Sequence, residues 1–247
     1  MINRKSRDEI KRMKHAGYIV ALVHQKMKEV VVPGISTKEL DEIAMKIIKE
    51  NRAIPTFLGY SGFPACICTS INEQVVHGIP SEKAILKEGD IIAIDVGATY
   101  GGMVGDSAWS YRVGKVSPEV DKLMKTTEES LFAGIEQMRP GNVLDDISKA
   151  VEAVAVREGY GIVRQYGGVG HEMHEDPFLF NYSVGDNTLI KSNMAIAIEP
   201  MLNLGCDDVV VNEEDGWTVS TKDGKPSAHF EHTVIATDDG PIITTTL

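Results

Sequence analysis

One arrangement of elements occurs twice in this chain, and it restricts the fold more than any other feature. Pro33-Gly34 and Pro140-Gly141 each stand between two amphipathic stretches. Leu40, Ile43, Ala44 and Ile47 fall 7, 10, 11 and 14 residues after Pro33, and Ile147, Ala150, Val151 and Val154 repeat those offsets after Pro140. Steps of three and four place such side chains on one face of a helix. Ser36-x-x-Glu39 adds a capping box that opens the first of these helices. Ahead of the first Pro-Gly, Ile10, Met13, Ala16, Gly17, Val20 and Val23 follow the same spacing; ahead of the second, Leu123, Met124, Leu131, Ile135 and Met138 form another helical stretch. Strands are expected over 65–71, 90–98, 103–113, 162–166, 194–199, 208–211, 216–221 and 228–236, most bounded by Gly, Pro, Asn or Asp. Two copies are too few for a solenoid, and no Ser/Gly/Pro-rich tract parts them. The expectation is an α+β chain forming one domain over 1–247, with pseudo-repeat halves of about 7–113 and 118–240.

Composition narrows the partners. The net charge of −11 has the wrong sign for coating phosphates, so DNA binding is not expected. No apolar run is long enough to cross a bilayer, and the N-terminus has no apolar signal core. Cys66, Cys68 and Cys206 are odd in number and lack Cys-x-x-Cys spacing, which argues against a disulfide framework and for a reducing, cytoplasmic setting. Arg4, Lys5, Arg7, Lys11, Arg12 and Lys14 cluster at the start of the first helix. They read either as a solvated face or as a transient ribosome contact, and a basic run alone does not separate the two.

The acidic residues carry the chemistry. Asp95 and Asp106 lie in two apolar segments that read as a hairpin. A turn at Tyr100-Gly101 would set Asp95 directly opposite Asp106, whereas a turn at Gly101-Gly102 would set it opposite Ala108. Asp is a poor strand former, and like charges facing each other are destabilising. A shared proton or a bound cation would compensate. Glu199 ends one apolar strand and Glu231 lies inside another. Four isolated carboxylates in four apolar strands suit a hydrolytic two-metal centre of Mn, Fe, Co or Zn.

The motifs Asn72-Glu73-x-x-x-His77-Gly78-Ile79-Pro80, Asp95 with Asp106, His174-Glu175-Asp176-Pro177, Ile198-Glu199-Pro200-Met201, and Trp217-Thr218 through Phe230-Glu231-His232-Thr233 run in order along nearly the whole chain. The chain thereby resembles the type I methionine aminopeptidases, which have the creatinase-like pita-bread fold: two pseudo-symmetric halves with helices packed on a curved antiparallel sheet. The resemblance implies removal of the initiator methionine from nascent polypeptide N-termini, with a small second residue preferred. It implies two divalent metal ions, with Asp95, Asp106, Glu199, Glu231 and a histidine as ligands. Glu199 would also move a proton, His77 would meet the scissile amide nitrogen, and His174 would hydrogen-bond the carbonyl oxygen. Tyr60, Phe63, Cys68, His77, Met173 and Trp217, joined by Phe57, would line the methionine pocket. Asn72 and Ser227 match positions that can hold a monovalent cation. A monomer without the family's N-terminal extensions is expected.

One departure concerns the metal-ligand histidine. The family carries Gly-His-Gly-x-Gly, with the histidine seven residues before the one matching His174; here that position is Gly167. His171 is the only imidazole nearby and is the candidate replacement. The gap keeps open an alternative, a non-catalytic or weakly active binding protein on the same scaffold. An X-Pro peptidase of this fold is the nearest enzymatic alternative.

Overall fold

The computed structural model describes residues 2–170 and 173–247. The first repeat contains α1 (Arg7–Val30) and α2 (Thr37–Glu50), then β1 (Ile54–Pro55), β2 (Ile67–Ile71), β3 (Gln74–Val76), β4 (Ile91–Tyr100) and β5 (Met103–Arg112). The second begins with α3 (Pro118–Glu136), α4 (Leu144–Glu158), β6 (Gly161–Ile162), β7 (Gly168–Gly170) and β8 (Glu175–Leu179). It continues with β9 (Ala195–Ile198), β10 (Met201–Asn203), β11 (Val209–Val211) and β12 (Val219–Thr221). The last strands are β13 (Ser227–His229), β14 (His232–Thr237) and β15 (Gly240–Ile243). Pairing is antiparallel among the described strands. The capping box at Ser36 and Glu39 forms with both of its hydrogen bonds.

Each helix pair covers its own sheet. In the first half Val20, Val23, Leu40, Ala44 and Ile48 pack against Ile92, Ile94 and Val96. In the second, Leu123, Leu131 and Ile147 pack against Ile196, Ile198 and Val234. Side chains alternate across a strand, so this packing turns Asp95 on β4, and Glu199 just past β9, toward the opposite face. Both acids thus point into the space where the two sheets meet. Ser107 Oγ donates to the Glu231 carbonyl and Ser110 Oγ to the His229 carbonyl, joining β5 to the second half.

The helix α1 lies directly on β5 at Gly105. A Cβ there would come within 2.5 Å of the Gly17 backbone nitrogen, which cannot give way as a flexible side chain could. Gly105→Val is expected to destabilise the fold by about 1–3 kcal/mol through overpacking, read as a lower urea midpoint.

The structure decides between the two hairpin registers and changes three expectations. The hairpin turns at Gly101-Gly102, so Asp95 pairs with Ala108 and Gly97 with Asp106. Both glycines have positive φ, 57° and 81°, a conformation Tyr100 would adopt only under strain. The strand expected over 162–166 ends at Ile162, and the one over 228–236 breaks at Phe230-Glu231. Lys5 is no part of a solvated face: it is 3% exposed and pairs with Glu175 at 3.2 Å. His171 lies outside the described residues.

Among the described residues, no helix is long and apolar enough to cross a membrane. Deep in the first half, His24 is bonded through Nδ1 to the Tyr111 hydroxyl at 2.7 Å and through Nε2 to the Ser107 carbonyl at 2.9 Å. Burial drops its pKa to about 3, so between pH 3 and 6.5 the unfolded chain binds the extra proton and stability falls as pH is lowered. The ceiling is roughly 5 kcal/mol. Chemical denaturation across that range should show His24→Gln to be less pH-sensitive than the parent.

Candidate metal centre and substrate cleft

Two of the acids stand at breaks in a single long ladder. Ile198 pairs with His232 across β9 and β14, and Met201 pairs with His229 across β10 and β13. The register is the same on both sides of the interruption, which places Glu199-Pro200 beside Phe230-Glu231. Pro200 has no N–H to give the ladder; instead the Phe230 N–H donates to the Pro200 carbonyl and the Glu231 N–H turns away to Ala108 of β5. The strand break therefore hands Glu231 to the first half, where Asp95 and Asp106 wait.

Asp95 and Asp106 meet diagonally across the hairpin. Ligand atoms of Asp95, Asp106 and Glu231 all lie within 4.8 Å of one another, and so do those of Glu199, His229 and Glu231. Glu231 belongs to both groups. Burial comes first in raising the carboxyl pKa of all four acids, and neighbouring negative charge adds to it at Asp95, Glu199 and Glu231. Asp106 is pushed up to about 7. Without a cation these groups must hold protons, because desolvated like charges cannot all ionise. Asp95 Oδ1, Asp106 Oδ1 and His229 Nε2 are buried with no hydrogen-bond partner. Buried polar atoms are normally satisfied, and such orphans, two in the first ligand group and one in the second, fit divalent cations.

The cleft above the acids opens to solvent and is lined by Phe57, Tyr60, Phe63, Cys68, His77, Met173, His174 and Trp217, besides the four acids and Val169. Phe63 and Trp217 stand edge to face with ring centroids 5.1 Å apart. Gly97 makes room for Phe57, whose ring edge lies 2.6 Å from where a Cβ would project. Cys68 pairs with Asp95 across β2 and β4, and burial raises its thiol pKa well above the usual range. It is an inert wall of the cleft and not a thiolate ligand.

Both cleft histidines are held in the sparsely populated left-handed region. His77 has φ 59°, and His174 has φ 56° beside Met173 at 58°. Gly78 explains the first: a Cβ there would lie 2.0 Å from the Thr69 carbonyl, so the chain presses on β2 and ejects His77 into the cleft. Strain of this kind gathers at functional sites. The Tyr60 hydroxyl lies 2.8 Å from His174 Nδ1. Burial lowers the pKa of His77 to about 4 and also lowers that of His174, keeping both neutral near pH 7.

Residues 11–238 match metallopeptidase family M24. Methionine aminopeptidase 1 of Bacillus subtilis is 48% identical over 97% of this chain and 97% of its own length. The chain belongs to family M24, among its methionine aminopeptidases. The Escherichia coli methionine aminopeptidase is 39% identical to this M24 chain, covering 97% of it and 92% of the relative. The Thermotoga maritima methionine aminopeptidase structure superposes with TM-score 0.98 at 40% identity, covering all of both chains. A Pyrococcus furiosus prolidase shares the pita-bread fold alone, at TM-score 0.80 and 21% identity over 99% of this chain and 65% of that one. These relatives give no support to a non-catalytic binding protein.

In this M24 chain the structure brings together all four acids, both cleft histidines and every residue expected in the methionine pocket. Asn72 and Ser227 also meet, but through a backbone hydrogen bond from the Ser227 N–H to the Asn72 carbonyl at 2.9 Å. His229 was missed. Its signal was available: it precedes Glu231 by two residues, the spacing that puts two side chains on one strand face.

Proposed function

We propose that this chain removes the N-terminal methionine from nascent polypeptides and peptides by hydrolysis with two divalent metal ions, favouring a small second residue. The observation that carries the reading is the pair of ligand groups sharing Glu231 at the floor of an aromatic and sulfur-lined cleft. Asp95, Asp106 and Glu231 would hold one ion, Glu231 and Glu199 the other. Such ions, when bound, supply Lewis acidity and make water acidic enough to attack near neutral pH.

The remaining steps belong to the chain's own residues. Phe57, Tyr60, Phe63, Cys68, Met173 and Trp217 enclose the thioether, which gains apolar burial and sulfur–aromatic contact. The Tyr60 hydroxyl lies 2.8 Å from His174 Nδ1; donating there, it would leave the ring proton on Nε2, available to the scissile carbonyl oxygen as charge builds there. His77 orients the scissile amide nitrogen. Glu199 carries a proton to the leaving amine.

Mn, Fe, Co and Zn all suit these oxygen and nitrogen donors. The cytoplasm, a monomer and one domain over 1–247 complete the reading. Arg7, Lys11 and Lys14 remain exposed on α1 for a ribosome contact, and Asn72 with Ser227 is proposed to hold a monovalent cation.

The test is methionine release from Met-Ala-Ser by protein stripped with a chelator and then reloaded with Mn or Co. Reloading is expected to restore release. A folded protein that frees no methionine with any of the four metals would overturn the proposal.

A further inference from the structure

The reading above leaves the second ion, between Glu199 and Glu231, without a nitrogen ligand at the motif position. Gly167 stands there, and a Cβ on it would lie 2.4 Å from the Leu179 carbonyl. No side chain can be placed at that point without moving the backbone of β8.

We infer that His229 supplies this nitrogen, reaching the second ion from β13, a different strand from the one that carries the motif. Three observations converge on it. His229 is 1% exposed, and its Nε2 has no hydrogen-bond partner. That atom lies 3.6 Å from Glu199 Oε2, beyond a good hydrogen bond, and a nitrogen of the same ring lies within 4.8 Å of a Glu231 oxygen. An unpartnered ring nitrogen this near two carboxylates is placed for a shared cation, since metal–nitrogen and metal–oxygen bonds of about 2 Å put donor atoms roughly 3–4 Å apart.

The imidazole is also aimed by its surroundings. The His229 N–H donates to Ser110 Oγ, and Ser110 Oγ donates back to the His229 carbonyl, both at 3.0 Å. This clamp fixes the His229 backbone to β5, the strand that carries Asp106. Met201, the partner of His229 on β10, is fully buried beside it. Loss of an imidazole from one segment is thereby offset by an imidazole from another, with the ion's donor set unchanged in kind.

The inference rests on the metallopeptidase reading, and its test separates the two. Full-length protein labelled with 15N-histidine is stripped of metal and titrated with Zn²⁺, following imidazole nitrogen shifts by NMR and binding by calorimetry. Wild type is expected to bind two equivalents and to show one imidazole moving to a metal-bound position with the second. In His229→Gln that signal should vanish, the first equivalent should bind as before, and the second should weaken at least 10-fold. In His171→Ala, which tests the other candidate and serves if His229→Gln does not fold, the shifted imidazole should persist.

A second equivalent bound equally well by folded His229→Gln overturns the inference. So does loss of the shifted imidazole in His171→Ala. An ion pair between His229 and Glu199 would give no Zn²⁺-dependent shift and overturns it as well. Wild type that binds no Zn²⁺, Mn²⁺ or Co²⁺ overturns the metallopeptidase reading itself.

Discussion

Glu231→Gln should cut methionine release and weaken metal binding together. Glu231 is the one side chain common to both ligand groups, so neutralising it weakens two sites at once. An amide keeps the volume and one acceptor but removes the negative charge that each cation needs. Metal catalysis contributes several kcal/mol of transition-state stabilisation, so kcat/KM should fall by about 10³-fold or more. Calorimetry on stripped protein should show both equivalents weakened. Retention of either ion at the parent affinity would remove Glu231 from its shared position. The same chemistry sets a pH dependence in the parent. Cations must displace protons from carboxyls whose pKa is raised, Asp106 to about 7. Affinity is therefore low where those protons are held and rises as pH increases toward and through 7. Titrations at pH 5.5 and 7.5 should show tighter binding at the higher value and more protons released per ion at the lower one.

His174→Ala should lower kcat by about 10²–10³-fold, the effect of removing one donor aimed at a developing oxyanion. The change should fall on kcat more than on KM, because the contact strengthens only as charge moves onto the carbonyl oxygen. Metal stoichiometry should stay at the parent value, since His174 belongs to neither ligand group. Tyr60→Phe removes the hydroxyl bonded to His174 Nδ1 and should reproduce a smaller part of the same loss. A His174→Ala protein with parental kcat would assign carbonyl stabilisation elsewhere.

Most of the site was legible because strand periodicity and local motifs act over a few residues. Alternation along β4 and β9 was enough to set Asp95 apart from Ile94 and Val96, and Glu199 apart from Ile198. The doubled Pro-Gly pattern announced two helix pairs, and both formed with their apolar stripes on the sheets. The hairpin register depended on which residues tolerate positive φ, and two adjacent glycines outcompeted Tyr100. Lys5 belonged to a basic run that looked solvated, yet Glu175, far away in the chain, draws it into a buried pair. Charge patterning describes a segment and is blind to such partners.

The sequence by itself determined the repeat of helices and strands, the four carboxylates and the aromatic residues that accompany them, since each is set by local spacing and side-chain chemistry. Only the tertiary structure decided that the ladder breaks at Glu199-Pro200 and Phe230-Glu231, that Glu231 is shared, and that the orphaned His229 nitrogen faces two acids. A cation is held by donor atoms a few ångströms apart. Distances that short between β4, β5, β9 and β13 arise only after both halves have packed.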